Sequence, residues 1–394
     1  MYIFRGGMIS LLNSVSILLL PLIAALRMSL KWVRGQAPVS IWTGAPILNM
    51  AINSSAERLT GAKSYSVVAH TYFITNKFDF DLQRLPLGRV FNTQYRYIAF
   101  WIICLIADRV HIYLDGGILP NAKMRSFNKL ELFTYKLLAV DVFAWTYGGD
   151  CRTQRITRSL GDPNCCTDCT AQNSACICDE GLFRPRYDYA RDKCVAIFSM
   201  GDMIEYTPGS VNTLYFWPLD IVDEKYKNIQ TVSELNPPLV RIVHAPNHRM
   251  FKGTRFIEAA VSELSAEGLA VELVLVERVP NQQALKIYQT ADIIVDQVMV
   301  GFHGFFALEA MAMSKPVVCF IREPERYLID AKNSPIINAN PENIKEVLRS
   351  WVNASRSERL NRGLQGRNFI EKHYSMDAFA KRLGKAYTEL GVSK

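Results

Sequence analysis

The chain has 394 residues, 49% of them hydrophobic and 21% charged, with a formal net charge of +8 at pH 7. This composition excludes a disordered or collagenous chain, and the length points to two domains rather than one core. The positive balance favours anionic partners, but no run of lysine and arginine interleaved with aromatics is present, so no nucleic-acid partner is expected.

Residues Met8 to Leu26 are mostly apolar, with a dense ILLLPLIAAL from Ile17, and Arg27, Lys31 and Arg34 follow. Three readings fit residues 1–38: a monotopic helix lying on a membrane, a marginal span, or a helix covered by the protein itself. Asn13, three serines and Pro21 weaken the span. No small-residue cleavage site follows the run, and its basic trailing end faces cytoplasm in either membrane reading. The expected location is therefore cytoplasmic, peripheral to or anchored in the inner face of the cell membrane.

From residue 39 short apolar strands alternate with helices, the mark of a parallel sheet covered on both faces. SIWTGAPI is a strand ending at Thr43 and Gly44, INSSAERLTG a helix and YSVVAH a strand. IAFWIICLIA is too short to cross a bilayer and precedes the strand RVHIY, which contains His111 and turns at Asp115. A helix at Leu130 to Leu138 then leads to the strand VFAWTY and the loop Gly148-Gly149-Asp150. His111, Asp115 and Asp150 thus fall near strand ends, where a parallel sheet binds ligands, and suit either proton transfer or turn capping. After an insert, the strands VAIFSM and TLYFWPLD resume the pattern.

The insert, residues 151–194, carries most of the nine cysteines. Cys165, Cys166, Cys169, Cys176 and Cys178 have the spacing of a structural zinc knuckle, although free or disulfide-forming thiols and an iron–sulfur cluster also fit. Beyond residue 222 a polar stretch ends in Pro237-Pro238, a hinge signal. A second alternation follows. LVRIVHAPN leads to a basic loop with Asn247, Arg249, Lys252 and Gly253, then a helix, VELVLVE, another helix and DIIVDQV. Next comes the glycine loop Gly301 to Gly304 with His303, a helix from Phe305 carrying Glu309, the Lys315-Pro316 turn and a second apolar strand. Strand, glycine loop and helix in that order present free amides and a positive helix end to a phosphate. Arg249 and Lys252 sit where a diphosphate clamp would be placed. The fold class is therefore α/β, two doubly wound Rossmann-like domains. Residues 39–222 with the final helix, 376–394, form the first, and residues 236–375 the second.

The Lys252-Gly253 pair together with LEAMAMSKPVV resembles the family 4 glycosyltransferases, two-domain enzymes of the GT-B fold. The resemblance implies two facing domains with the final helix crossing back to the first, a nucleotide-sugar donor on the second and an acceptor on the first. By position, it matches Lys252 to a lysine contacting the donor diphosphate, Gly304 to the glycine of the phosphate loop and Glu309 to the ribose-binding member of a glutamate pair. The other glutamate of that pair, which contacts the donor sugar, falls at Gly301 and is missing. Asn247 stands where the family has an arginine, and Arg249 is placed to supply that charge. His303, Asp296 or backbone groups are then left to position the sugar. Tyr147-Gly148-Gly149-Asp150 resembles an acceptor-side loop, and His111 a histidine at a strand end.

The implied activity is transfer of a sugar from a nucleotide-diphosphate donor to a hydroxyl of a glycan or lipid-linked acceptor, with retention of anomeric configuration and no catalytic metal. A non-catalytic nucleotide-sugar-binding subunit, and an epimerase or phosphorylase of the same architecture, are the rivals.

Overall fold

The computed structural model describes residues 2–33, 35–71, 77–121, 126–174, 176–226 and 239–392. The Pro237-Pro238 hinge lies outside them. The chain forms two compact units, one of residues 1–152, 179–216 and 379–394, the other of residues 153–178 and 217–378.

In the first unit six strands, β1 (Val39–Thr43), β2 (Lys63–Val68), β3 (Phe80–Asp81), β4 (Arg109–Tyr113), β5 (Asp141–Trp145) and β6 (Ala196–Phe198), form one sheet in the order β3-β2-β1-β4-β5-β6. Every pairing is parallel. β1 and β4 are buried at every position, the pattern of strands covered on both faces. The strand order reverses between β1 and β4, so the loops after Thr43 and Tyr113 flank the switch point where such sheets bind ligands. Residues 379–394 also belong here, and the Tyr387 hydroxyl donates to Glu57 at 2.6 Å.

The N-terminal helix, Tyr2–Val33, packs on the helix Asn92–Ile106 of the same unit. Ile9, Ser16, Ile23 and Arg27 are buried along one stripe. Its polar residues are the anchors: Asn13 accepts from Tyr97 at 2.7 Å, and Arg27 donates to the carbonyls of Cys104 and Leu138. Leu11, Ile17, Leu18, Leu22 and Met28 face outward and are exposed. Among the described residues this is the one helix long and apolar enough to cross a membrane.

The second unit holds β7 (Val240–His244), β8 (Val271–Leu275), β9 (Ile293–Val295), β10 (Val317–Cys319) and β11 (Ile337–Asn338), all parallel in the order β11-β10-β9-β7-β8. Its core joins Val240, Ile242, Ile293, Val295 and Val318 from the strands to Ile257, Val261 and Leu264 on the helix Thr254–Ala266 and Ile344 and Leu348 on the helix Ile344–Asn353. The order reverses between β7 and β9, which puts the loops 245–253 and 296–304 at the switch point.

Three expectations change. TLYFWPLD forms no strand, because Pro218 has no N–H for a ladder and Tyr215 takes a positive φ of 46°. DIIVDQV forms a strand only over Ile293–Val295, with the Asp296 N–H making a last bond to Val318 O at 2.9 Å. The cysteine-rich insert divides between the units: Thr153–Cys178 belongs to the second, where Asp168 pairs with Arg255 at 2.7 Å, while the helix Glu180–Lys193 belongs to the first.

Candidate functional site

The second unit's switch point gathers Lys252, Asp296, Gly304 and, one helical turn on, Glu309. Lys252 closes a single turn, Arg249–Lys252, after β7. Gly253 follows with φ 77°, and a side chain there would strike Val298 and Met299, so the bend is closed to other residues. The Lys252 side chain is nearly buried, and its Nζ lies 2.6 Å from Asp296 Oδ1. The other carboxylate oxygen accepts the Gly304 N–H at 2.5 Å. Asp296 therefore ties the lysine to the glycine loop, and Gly304's own amide is spent on it rather than held for a phosphate. Lys252 keeps the rest of its three ammonium donors, with the Phe306 ring 5.6 Å away.

Two sequence expectations change here, one through charge pairing and one through burial. Arg249 is not an open clamp: its guanidinium is held by Glu277 at 2.9 Å and Glu258 at 3.0 Å, which neutralise it at the surface. His303 is buried, packed on Phe302 and bonded to the Tyr374 hydroxyl at 3.2 Å, so it does not face a ligand. Asn247 lies exposed in the loop after β7, and Phe305 opens the helix Phe305–Ala312, whose first amides have no intrahelical acceptors.

Glu309, on that helix, is buried and accepts from Tyr226 at 3.4 Å. Burial pushes its carboxyl up to about 7 against the opposing effects of Lys225 and Tyr226. Sequence reasoning missed Tyr226, His244 and Arg322. His244 joins Val295 O at 2.8 Å to Thr254 Oγ1 at 2.9 Å, locking β7 to β9 and to the helix after Gly253; burial pulls its pKa down to about 4. Its position at the end of β7, just before the basic loop, was the available signal.

In the first unit, His111 is buried rather than poised at a ligand. It stacks on Trp42 with ring centroids 3.9 Å apart. Its Nδ1 accepts the Trp145 indole N–H at 3.0 Å, and its Nε2 faces the Tyr387 hydroxyl at 3.1 Å. An indole N–H only donates, so Nδ1 carries no proton; burial, which lowers the His111 pKa, points the same way. His111 is thus a neutral bridge in a buried network with Glu57, which also accepts from Ser40, Trp42 and Ser64. It is not available as a general base.

Asp150 is also buried. Its Oδ1 accepts the amides of Tyr147 and Gly148 at 2.9 and 3.0 Å, so it shapes the Gly148-Gly149 loop. Burial and the neighbouring Asp115 push its carboxyl up to about 7. Its Oδ2 is buried without a hydrogen-bond partner among the described residues. Thr43 is buried at the end of β1, and Gly44 follows, close against the Gly116 carbonyl. Among the described residues, Cys165, Cys166, Cys169, Cys176 and Cys178 included, no three histidine, cysteine or acidic side chains converge as a metal set.

No family model and no curated protein matches the chain. Among solved structures it is similar to sucrose-phosphate synthase from Thermosynechococcus elongatus, at 10% identity and a TM-score of 0.54, over 90% of this chain and 99% of that one. It also aligns with the UDP-GlcNAc 2-epimerase from Neisseria meningitidis bound to UDP-GlcNAc, at 12% identity and a TM-score of 0.48, over 90% of this chain and all of that one (100%). A third match is the glycosyltransferase SnogD from Streptomyces nogalater, at 12% identity and a TM-score of 0.41, over 89% of this chain and 100% of that one. The first of these likenesses carries the comparison, and what it carries is architecture: the chain has the two-sheet α/β fold of the GT-B class.

Proposed function

We propose that this protein is a glycosyltransferase that takes a nucleotide-diphosphate sugar on its second unit and transfers the sugar, with retention, to a hydroxyl of a glycan or lipid-linked acceptor. The observation that carries the reading is the meeting of Lys252, the 301–304 loop and Glu309 at the switch point between β7 and β9. As the glycosidic bond breaks, charge builds on the leaving diphosphate, and the Lys252 ammonium, held in place by Asp296, is positioned to stabilise it. Glu309 supplies the buried acceptor for ribose hydroxyls. The Lys252 ammonium serves the diphosphate in this reading, so it calls for no catalytic metal.

The test is a thermal-shift screen of the full chain against nucleotides and nucleotide sugars. A ligand at a hundred times its dissociation constant adds about 2.7 kcal/mol of apparent stability, so one base class is expected to stand out. No shift with any member of the panel sinks the proposal. Gly301, where the family resemblance puts a carboxylate, favours one rival, a binder of nucleotide sugars without turnover. Release of free nucleotide from labelled donor in the presence of acceptor separates the two.

The acceptor reading draws on the N-terminal helix. Its outward leucines and Met28 form an apolar stripe on a helix already anchored by Asn13 and Arg27, the arrangement of a helix lying in a membrane interface rather than crossing it. The wild-type chain is expected to sediment with vesicles of phosphatidylglycerol and phosphatidylethanolamine, and a Leu18→Glu/Leu22→Glu variant to stay in solution with unchanged thermal stability. A wild-type chain that remains in the supernatant refutes the membrane reading.

A further inference from the structure

The place of the missing carboxylate is not empty. Gly301 has φ 95°, and a Cβ built on it would lie 2.6 to 2.8 Å from three atoms of the Arg322 guanidinium. The arginine therefore occupies the volume that a side chain at position 301 would fill. It is held there by the backbone: the Arg322 N–H donates to Gly301 O at 3.0 Å, and its Nη2 donates to Val300 O at 3.1 Å. On the other side, Asn338 brackets the preceding residue, donating to Ile321 O and accepting the Ile321 N–H, each at 2.8 Å.

Among the described residues, what remains is a cation without a counterion. Among the described residues Nη1 of Arg322 is buried without a hydrogen-bond partner, and the guanidinium lies 5.7 Å from the Phe320 ring and pairs with no carboxylate. Buried donors are nearly always satisfied, so an orphaned guanidinium N–H calls for a ligand atom. Arg322 follows β10 and Gly301 follows β9, at the carboxyl ends of adjacent parallel strands, on the same loop as Gly304. A guanidinium fork in that place suits a carboxylate or phosphate oxygen pair.

We propose that Arg322, seated over Gly301, is an oxyanion-binding residue of the donor site, taking either a carboxylate carried by the transferred sugar or a phosphate of the donor. This inference rests on the donor assignment above. Relative to the family resemblance it reverses the sign of charge at this position, from a carboxylate that accepts sugar hydroxyls to a cation that accepts an anion.

The experiment is calorimetric titration of the full chain, wild type and Arg322→Gln, with UDP, UDP-glucose and UDP-glucuronic acid, or with GDP, GDP-mannose and GDP-mannuronic acid if the screen selects guanosine. A loss of tenfold or more confined to the uronic acid ester identifies the sugar carboxylate. An equal loss for all three ligands identifies the phosphate. Arg322→Lys, which keeps the charge, is expected to recover part of either loss, and melting curves of both variants confirm that they fold. Unchanged affinity of Arg322→Gln for all three, alongside lost binding in Lys252→Met, overturns the role of Arg322 and leaves the donor site standing. If the wild type binds none of the nucleotides, the donor reading fails and this one with it.

Discussion

Replacing Lys252 by alanine is expected to cost both turnover and stability, by separable routes. On the proposed function, removal of one charge-stabilising donor at a leaving diphosphate costs about 3 kcal/mol of activation free energy, a hundredfold or more in rate. The structural cost has another origin. Lys252 and Asp296 are a buried pair 2.6 Å apart, and removing the lysine leaves the aspartate desolvated with the Gly304 amide and the weakly donating Cys319 thiol to accept from. Breaking such a pair costs about 3–5 kcal/mol. The double variant Lys252→Met/Asp296→Asn removes both charges, keeps most of the side-chain volume and is expected to regain most of that stability in urea unfolding, while its turnover stays at the level of Lys252→Ala. Wild-type turnover in the double variant removes the phosphate role from Lys252.

The second large effect is at Glu309. Folded Glu309 holds its proton up to about 7, against an ordinary value of 4.5. Between those two values the folded chain binds more protons than the unfolded one, so this residue's contribution makes stability fall as pH rises. At 1.36 kcal/mol per unit the fall amounts to about 3 kcal/mol, complete once the pH passes the folded value. Glu309→Gln cannot titrate, yet it can still accept from Tyr226. Its stability relative to wild type is therefore expected to improve by about 3 kcal/mol between pH 4.5 and 7.5, as read from urea midpoints at the two ends. A pH-independent difference shows that the carboxyl is not perturbed. Donor affinity is expected to move the other way: hydrogen bonds to a charged acceptor contribute about 1.5–3 kcal/mol, so the glutamine variant binds the donor at least tenfold more weakly at pH 7.5.

The site was legible where it is local chemistry. A glycine after Lys252, the Gly301 to Gly304 loop and the helix bearing Glu309 are turn and periodicity signals, and they lie where the chain pattern puts them. Charge partners were not legible. Arg249 and Glu277 are 28 positions apart and Lys252 and Asp296 are 44 apart, so only the strand order decides that the first pair neutralises a surface arginine and the second ties a lysine to a loop. His111 misled for a similar reason. Its place near the end of β4 suggested access, but the rings of Trp42 and Phe143 on the neighbouring strands enclose it, and Trp145 takes its Nδ1.

By itself, then, the amino-acid sequence determined two runs of alternating strand and helix, the glycine-bounded turns at their strand ends and an apolar first helix. All of these follow from side-chain period and from the backbone freedom of glycine, which act over a few residues. The tertiary structure decided which charges are cancelled and which are left over. Parallel strands bring residues from distant loops to one edge, and burial there makes each pairing costly to leave incomplete. That is why Arg249 is spent on two glutamates, and why Arg322, with no motif to announce it, stands over Gly301 with no carboxylate partner among the described residues.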